Sequence, residues 1–543
     1  MDQIKANPGL LRQALHYAEF ARGLIAARRH PVAADPEAAI LEQLRRREER
    51  FLDLLRRVVF DRPAHPLHRM MREARCLYGD IEHGIAAKGL EPTLELLRGE
   101  GVFISADEFK GRKAIVRGGR HIPAKTSDFV NPLSRPAWHK ETSGTTGTPT
   151  RLPKSVAASA QHEYYRAVSL RQFGVGGRRW FSLAPILPST HGITQQIWNQ
   201  KMGLRVHRWF AAPGNRPESR YHRAVTRMFL AELHLLGVRA PPLTFLPQND
   251  FLPVAREIAS ARALGVASFV NGSASSCVRV AAAALEKGLD ISGTRFLAGS
   301  EGLSPAKAAS IHRAGAESFA MFWASEVGPA GFGCPHYEGQ NTVHHFRDAT
   351  AIVRAPVIPQ GSESEVQSLF FTTLLPSAPL FLVNYELGDQ GEIEPATCNC
   401  RFSQLGFNTV ISGIRSYTKM KAYGVTHATA DVVRIVEELL PARFGGCAAD
   451  YQLAEQEKDA RTVVVLRVNP RLGAFRAGEV ETFFLDEVRK LFGGSLTVRT
   501  WTHAGGFQVV AEAPLAGATG KIMPVHLQGR GAVRSTPEVV HAP

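Results

Sequence analysis

Cysteine is scarce in this sequence, because six residues among 543 are too few for a disulfide-stabilised scaffold. No stretch approaches the ~20 consecutive apolar residues that cross a bilayer. The N-terminus lacks the uninterrupted apolar core of a secretory signal, and low-complexity tracts and internal repeats are also absent. These absences predict a globular, cytoplasmic protein with no membrane partner.

Acidic residues are outnumbered by basic ones: 50 Asp and Glu face 65 Lys and Arg, which leaves a net charge of +15. Such a balance favours anionic partners, among them nucleotides, coenzymes, nucleic acids and acidic carrier proteins. Nucleic acid is the least favoured, since no recognition motif or aromatic–basic interleaving accompanies the charge. In the basic run Arg45–Arg50, charges of alternating sign indicate a solvated helix face instead.

Hydrophobic periodicity divides the chain into three parts. Residues 1–130 carry apolar residues at helical spacing, for example Ile40, Leu44 and Phe51. In residues 131–412, short apolar runs such as 368–375 and 380–385 alternate with helical segments, which predicts a mostly parallel sheet. Residues 413–543 have the pattern of a compact α+β unit. We therefore predict an α/β protein whose large N-terminal domain begins with a helical extension and is followed by a small C-terminal domain.

The strongest local signal is the segment ETSGTTGTP, residues 141–149. Its hydroxyl residues and glycines form a loop rich in backbone N–H and hydroxyl donors, for which phosphate oxygens are the natural acceptors. The segment is not a Walker A loop, because the Gly-Lys-Ser/Thr ending is missing. On composition alone, a surface turn remains the alternative.

The segment TSGTTGTPT resembles the phosphate-binding loop of the acyl-adenylate-forming superfamily, which includes acyl- and aryl-CoA ligases and adenylation domains. Four further segments resemble the superfamily's motifs in the same order: GSEGLSP (299–305), MFWASEVGP (321–329), NYELGDQGEI (384–393) and GATGKIMP (517–524). Pro149-Thr150, found where most relatives have Pro-Lys, and a later Cys-x-Cys resemble the phenylacetate–CoA ligase-like branch. The resemblance covers nearly the whole chain beyond the N-terminal helices.

The resemblance implies an AMP-forming acid–thiol ligase. Such an enzyme activates a carboxylic acid with ATP and Mg²⁺ as acyl-AMP, and then passes the acyl group to a thiol, with coenzyme A as the expected cosubstrate. The small C-terminal domain would be mobile and rotate between the two steps. The alternative acceptor is a carrier-protein thiol or an amine. A third hypothesis for the function is a nucleotide-binding protein that does not turn over a substrate. We expect a monomer or a homodimer.

The resemblance also implies roles for individual residues. Glu326 would bind Mg²⁺, and Lys521 on the small domain would reach the carboxylate and the α-phosphate. Asp389 would accept hydrogen bonds from both ribose hydroxyls. The remaining nucleotide-binding positions are Thr142, Ser143, Gly144, Thr145, Thr146, Gly147, Gly299, Ser300, Glu301, Phe322, Trp323, Ser325 and Arg415. The structural alternatives are a turn cap for Asp389, a surface ion pair for Glu326 and a solvated Lys521.

Two sequence features bear on the substrate and the acceptor. Trp180, Phe181, His191 and Gly192 lie where relatives build the acyl pocket, which suggests an apolar or aromatic acid; a hydrogen-bonded loop histidine is the alternative for His191. The hinge segment 414–417 has Arg415 but lacks the acidic residue usual in the superfamily. The identity of the acceptor is therefore less well indicated than adenylation.

A group of cysteine and histidine residues predicts a structural Zn²⁺ site. Cys398 and Cys400 form a Cys-x-Cys pair, while Cys334 and His344 lie upstream. Three thiolates and one imidazole suit tetrahedral Zn²⁺ and leave no open position for catalysis. His336 is the alternate histidine ligand.

Overall fold

The structure is a computed structural model that describes the chain in segments. These are residues 8–141, 151–213, 217–247, 250–358, 365–417, 429–458, 461–491, 498, 507–516 and 521–526. The predicted phosphate-loop residues Thr142, Ser143, Gly144, Thr145, Thr146 and Gly147 lie outside the described residues.

The first part of the chain is helical, as its apolar stripe predicts. Its helices are α1 (Pro8–Arg29), α2 (Pro36–Arg45), α3 (Arg47–Leu54), α4 (Pro66–Glu73), α5 (Tyr78–Lys88), α6 (Leu90–Gly99) and α7 (Ala106–Phe109). At the start of α2, the Asp35 side chain accepts a hydrogen bond from the backbone N–H of Glu37 (3.0 Å), and Pro36 occupies the first helical position. Ile40 and Phe51 of the predicted stripe are fully buried.

The charged run Arg45–Arg50 is solvated only in part. Arg46 forms an exposed ion pair with Glu49 one helical turn away (2.7 Å). Arg47, by contrast, is buried and forms two hydrogen bonds with Glu91 (2.5 and 3.0 Å). One arginine of the run therefore joins α3 to α6, which charge patterning alone did not predict.

His65, at the start of α4, makes the stability of the protein depend on pH. The side chain is 7% exposed, and its Nδ1 accepts a hydrogen bond from the Leu67 backbone N–H (3.1 Å). Burial lowers the pKa of His65 to about 4. The unfolded chain binds a proton near pH 6.5, so the stabilisation present above that pH is lost as the pH falls toward 4.

Between pH 7 and pH 4 we expect His65 to cost about 3 kcal/mol of unfolding free energy. The variant His65→Asn keeps a side-chain acceptor at the helix start but removes this titration. Urea unfolding of both proteins at the two pH values should show a smaller loss for the variant. An equal loss in the two proteins would contradict the assignment.

Strands of the described residues form a 13-stranded sheet, a 4-stranded sheet and two strand pairs. They are β1 (Ile104–Ser105), β2 (Ile115–Arg117), β3 (Arg120–Ile122), β4 (Trp138–Glu141), β5 (Arg151–Lys154), β6 (Arg179–Ser182), β7 (Arg208–Ala211), β8 (Leu243–Phe245), β9 (Ser268–Ser273), β10 (Arg295–Gly299), β11 (Glu317–Ala324), β12 (Gly328–Phe332), β13 (Thr342–His345), β14 (Thr350–Val357), β15 (Val366–Thr373), β16 (Tyr385–Pro395), β17 (Thr409–Ser416), β18 (Tyr451–Lys458), β19 (Arg461–Val468), β20 (Phe507–Ala511) and β21 (Val525–His526).

The large sheet confirms the predicted α/β class. Its order is β14-β15-β16-β17-β13-β12-β11-β10-β9-β6-β7-β8, with β1 against β16. Strands β6 to β11 pair in parallel, and antiparallel pairing begins at β12. The accompanying helices are α8 (Val156–Gln172), α9 (His191–Lys201), α10 (Pro217–Leu235), α11 (Leu252–Ala263), α12 (Ala274–Glu286) and α13 (Pro305–His312). In the described part of the chain, no helix combines the length and apolar character required to cross a membrane.

The apolar run 380–385 is not the strand that its composition predicts. Leu380 makes an isolated bridge to Val130, and β16 begins only at Tyr385. The backbone N–H of Phe381 donates instead to the carbonyl of Phe129 (2.9 Å). The run can be buried without being a strand because other backbone groups form hydrogen bonds with it. Its composition does not show where those partners come from.

The C-terminal part has its own sheet and core. Strands run in the order β20-β19-β18-β21, with α15 (Thr429–Arg434), α16 (Leu440–Phe444) and α17 (Ala477–Arg489) packed against them. Val432, Leu466 and Phe484 are buried in this core. Strand β17 of the large sheet continues to Ser416, so the first residues of the predicted C-terminal domain, 413–416, belong to that sheet.

Candidate active site

Two predicted motif segments meet at the end of strand β10. Residues Gly299, Ser300 and Glu301 turn away from the strand, and Ser300 adopts a left-handed backbone conformation (φ +66°). Its carbonyl oxygen accepts a hydrogen bond from the Lys521 Nζ. Gly299 leaves room for the Met321 side chain, whose Cε would lie 2.4 Å from a Cβ at this position. The turn and the C-terminal lysine are thus neighbours.

Glu301 is buried beneath this turn and does not present its carboxylate as a ligand group. Its Oε1 accepts hydrogen bonds from the Ser275 backbone N–H (3.0 Å) and hydroxyl (2.6 Å), and Lys307 lies at 3.3 Å from Oε2. Burial alone would raise the pKa of Glu301, but Lys307, Lys521 and Ser275 hold it below its ordinary value. The Glu301 carboxylate is thus bound by protein groups, and the contact of the 299–301 turn with nucleotide stays a prediction.

Lys307 joins the same turn to the C-terminal part. Its ammonium lies 2.8 Å from the Glu437 carboxylate as well as 3.3 Å from that of Glu301, and all three side chains are buried. The two carboxylates outweigh the effect of burial and raise the pKa of Lys307. This buried lysine is fully neutralised by its neighbours.

Ser325 and Glu326 follow strand β11 and lie among lysine side chains. Lys140 Nζ donates a hydrogen bond to the Ser325 Oγ (2.7 Å). Lys110 Nζ lies 3.8 Å from the Glu326 carboxylate, whose side chain is 9% exposed. A carboxylate next to a hydroxyl is a suitable oxygen set for a hard cation such as Mg²⁺.

The aromatic residues before Ser325 have different surroundings. Phe322 packs on Phe371, with ring centroids 5.8 Å apart, while Trp323 meets His162 edge-on at 4.6 Å. The pairing of β11 with β12 is irregular between Phe322 and Trp323. Trp323 therefore contacts the polar groups near His162, whereas Phe322 lies against the apolar core.

Asp389 and Arg415 lie on the neighbouring strands β16 and β17, one position out of register, so their side chains point to opposite faces of the sheet. Asp389 pairs with Ser416 across β16 and β17, and Arg415 pairs with the adjacent Gln390. Burial, with Glu326 and Asp389 among the nearby charges, raises the pKa of the Tyr385 hydroxyl. Both predicted carboxylates act electrostatically on Tyr385, so both lie near this residue at the start of β16.

Two residues predicted to contact the acid, Trp180 and Phe181, are buried. Trp180 is 2% exposed and donates its indole N–H to Asn271 (2.6 Å), and Phe181 is fully buried. Gly192 is likewise enclosed, because a Cβ there would lie 2.4 Å from the Trp209 ring. The contact of these residues with the acid stays a prediction.

His191, the first residue of α9, has a polar environment. Dense surroundings lower the pKa of His191 to about 4, with further contributions from Arg166, Lys140 and Lys154, although its side chain is solvent-accessible. At neutral pH it is an uncharged imidazole, and its assignment to the acid pocket stays a prediction.

Sequence reasoning missed three residues near the segment 323–326: Lys140, Lys154 and His162. The two lysines lie on β4 and β5, the strands that lead into and out of segment 142–150. Their positions on either side of the Gly/Thr-rich segment could have indicated from the sequence that they lie near the predicted phosphate loop. His162, on α8, carried none, because its approach to Trp323 depends on tertiary packing.

The four predicted zinc ligands converge on one point. The candidate ligand atoms of Cys334, His344, Cys398 and Cys400 all lie within 4.8 Å of one another. The Cys334 and Cys398 sulfurs are 3.7 Å apart, and the His344 Nε2 lies 3.3 Å from the sulfurs of Cys398 and Cys400. Two thiolates bound at about 2.3 Å to a tetrahedral zinc ion are about 3.8 Å apart, so the spacing suits this ion.

Neighbouring contacts orient the group for metal binding. The His344 Nδ1–H donates a hydrogen bond to the Phe407 carbonyl (2.9 Å), which leaves Nε2 to face the sulfurs. Contacts with Cys334 and His344 hold the pKa of the Cys400 thiol well below its usual range. His336, the alternate ligand, is not part of the group: its Nε2 faces the Thr397 hydroxyl (3.3 Å).

Comparison with known proteins gave only structural similarities. No family model matches the sequence, and no curated protein matches it. The chain is similar to 2-hydroxyisobutyryl-CoA ligase in the postadenylation state (14% identity, TM-score 0.49, covering 90% of this chain and 89% of that one). It is also similar to O-succinylbenzoate coenzyme A synthetase from Bacillus subtilis with ATP and magnesium (13%, 0.40, 72% and 69%), and to ATP-bound MatB from Rhodopseudomonas palustris (12%, 0.35, 72% and 67%). At these scores the assignment rests on the residues of the site.

Proposed function

We propose that this protein is an AMP-forming acid–thiol ligase, which activates a carboxylic acid with ATP as acyl-AMP and transfers the acyl group to a thiol. The observation that carries the proposal is the contact between Lys521 and the carbonyl of Ser300. It brings together two motif segments 221 residues apart in the chain. If the sequence resemblance is genuine, the two segments must meet at the nucleotide. Two segments that matched the motifs by chance would have no reason to lie together.

The chemistry proposed for the site is charge neutralisation. When the carboxylate of the acid attacks the α-phosphate and pyrophosphate leaves, negative charge accumulates on the transferring phosphoryl group. Lys521 would neutralise part of that charge and orient the carboxylate. Glu326 would hold Mg²⁺, which on binding supplies further neutralisation, while Ser325 donates to phosphate oxygen and Asp389 accepts from the ribose hydroxyls.

Coenzyme A is the acceptor that we propose, and a carrier-protein thiol or an amine is the alternative. No described residue of the site discriminates among them. We retain the alternative because the hinge segment around Arg415 lacks the acidic residue usual in the superfamily.

Pyrophosphate release tests the proposal. The full chain is incubated with ATP, Mg²⁺ and a panel of carboxylic acids, and pyrophosphate is measured with and without coenzyme A. Acid-dependent release, with an acyl-CoA product, is the expected result. Release with an acyl-AMP that hydroxylamine traps, but with no CoA product, would favour the carrier or amine route. Absence of release with every acid would leave only a nucleotide-binding protein.

For the second site, we propose that Cys334, His344, Cys398 and Cys400 bind one structural Zn²⁺. The spacing of their ligand atoms and the hydrogen bond from His344 to Phe407 support this assignment. Four protein ligands leave no position for substrate, so the ion would join the loop after β12 to the loop before α14 (Arg401–Gln404).

A further inference from the structure

Two lysines are placed side by side by the β4–β5 pair. In its antiparallel register Trp138 lies opposite Lys154, and Lys140 lies opposite Leu152. Opposite residues share a face and diagonal neighbours are within reach of long side chains. Lys140 and Lys154 are such diagonal neighbours on one face of the strand pair.

Among the described side chains, little negative charge lies near these two lysines. Glu326 is the carboxylate that acts on both lysines, and Lys110 approaches the same carboxylate (3.8 Å). Among the side chains that the structure describes here, three ammonium groups therefore surround one carboxylate. The hydrogen bond from Lys140 to Ser325 is with a neutral group and adds no compensating charge.

Lys307 is a buried structural lysine of this chain, and its charge is neutralised by neighbouring carboxylates. It is paired with Glu301 and Glu437 at 3.3 and 2.8 Å, which raises its pKa. At Lys154 the shift is the opposite: burial and the neighbouring Lys140 lower the pKa well below its ordinary value. A partly buried, unneutralised lysine pair costs stability, so its presence points to a function that requires an incoming anion.

We propose that Lys140 and Lys154 form an oxyanion site, which binds two negatively charged oxygens of a substrate. The inference deepens the proposed function and rests on it, since Lys140 donates a hydrogen bond to Ser325, which is proposed to bind phosphate. Phosphate oxygens of the nucleotide are one source of such oxygens. A second carboxylate on the acid is the other.

Inorganic pyrophosphate is the first probe, because its binding requires no knowledge of the acid. Calorimetric titration of the full chain with Mg²⁺ and pyrophosphate would compare wild type with Lys140→Met and Lys154→Met. Loss of one charge-assisted hydrogen bond predicts a dissociation constant raised about tenfold to a hundredfold. Lys154→Arg, which keeps the charge, should retain most of the affinity. Lys287→Met, at an exposed position outside the site, is the matched control.

The second arm compares acids. Pyrophosphate release is measured with a dicarboxylic acid and with the monocarboxylic acid of equal length. Unchanged pyrophosphate affinity with a selective loss of the dicarboxylic acid in the methionine variants assigns the pair to the acid. If both pyrophosphate affinity and acid preference are unchanged in folded variants, the oxyanion site is refuted. Lysine-dependent pyrophosphate binding in a wild-type protein that turns over no acid would refute the ligase proposal alone.

Discussion

Replacing Lys521 with alanine is expected to slow acid-dependent pyrophosphate release about a hundredfold to a thousandfold, the usual cost of removing one preorganised group that neutralises transition-state charge. The lysine would act on charge that develops during the reaction. We therefore expect kcat and kcat/KM to fall together while the KM for ATP changes little. Steady-state kinetics with the best acid of the panel measure all three.

Two control variants separate this effect from a general disturbance. Lys490→Ala removes an exposed lysine that pairs with Glu487 (2.6 Å) in the same C-terminal part, and it should leave the rate unchanged. Lys521→Arg retains the positive charge and should recover part of the loss. Full activity in Lys521→Ala with an unchanged melting temperature would show that the proposed role of Lys521 is wrong.

Removing the proposed zinc ion is expected to have the largest effect on stability. Metal analysis of the purified full chain should find one Zn²⁺ per chain, and a strong chelator should lower the free energy of unfolding by several kcal/mol. Three thiols and the His344 imidazole lie within 4.8 Å of one another, and without the ion nothing would hold them together. Thermal or urea unfolding before and after chelation measures the loss.

The cysteine group offers a matched pair of variants. Cys400→Ser should lose the zinc ion and the stability that depends on it. His336→Gln changes a nearby histidine that faces Thr397 instead of the sulfurs, and it should retain both. A protein purified without zinc that cannot be loaded with it, or equal zinc loss in the two variants, would contradict the proposed ligand set.

Local patterns in the sequence predicted a good part of the fold. The apolar spacing through Ile40 and Phe51 predicted helices whose inner face is buried, and alternation of apolar runs with helical segments predicted the α/β class. These predictions succeed because helix periodicity and β-strand composition depend on neighbours within a few residues. The run 380–385 failed the same test, since its backbone partners come from a distant loop.

By itself, the sequence determined which residue types were available for the site: a Gly/Thr-rich segment, the acids Glu326 and Asp389, the lysine at 521 and the Cys-x-Cys pair. Only the tertiary structure decided which of them meet. It buried the carboxylate of Glu301 against Ser275 and enclosed Trp180 in the core. Contacts between segments far apart in the chain depend on how the elements pack, and no local spacing encodes that arrangement.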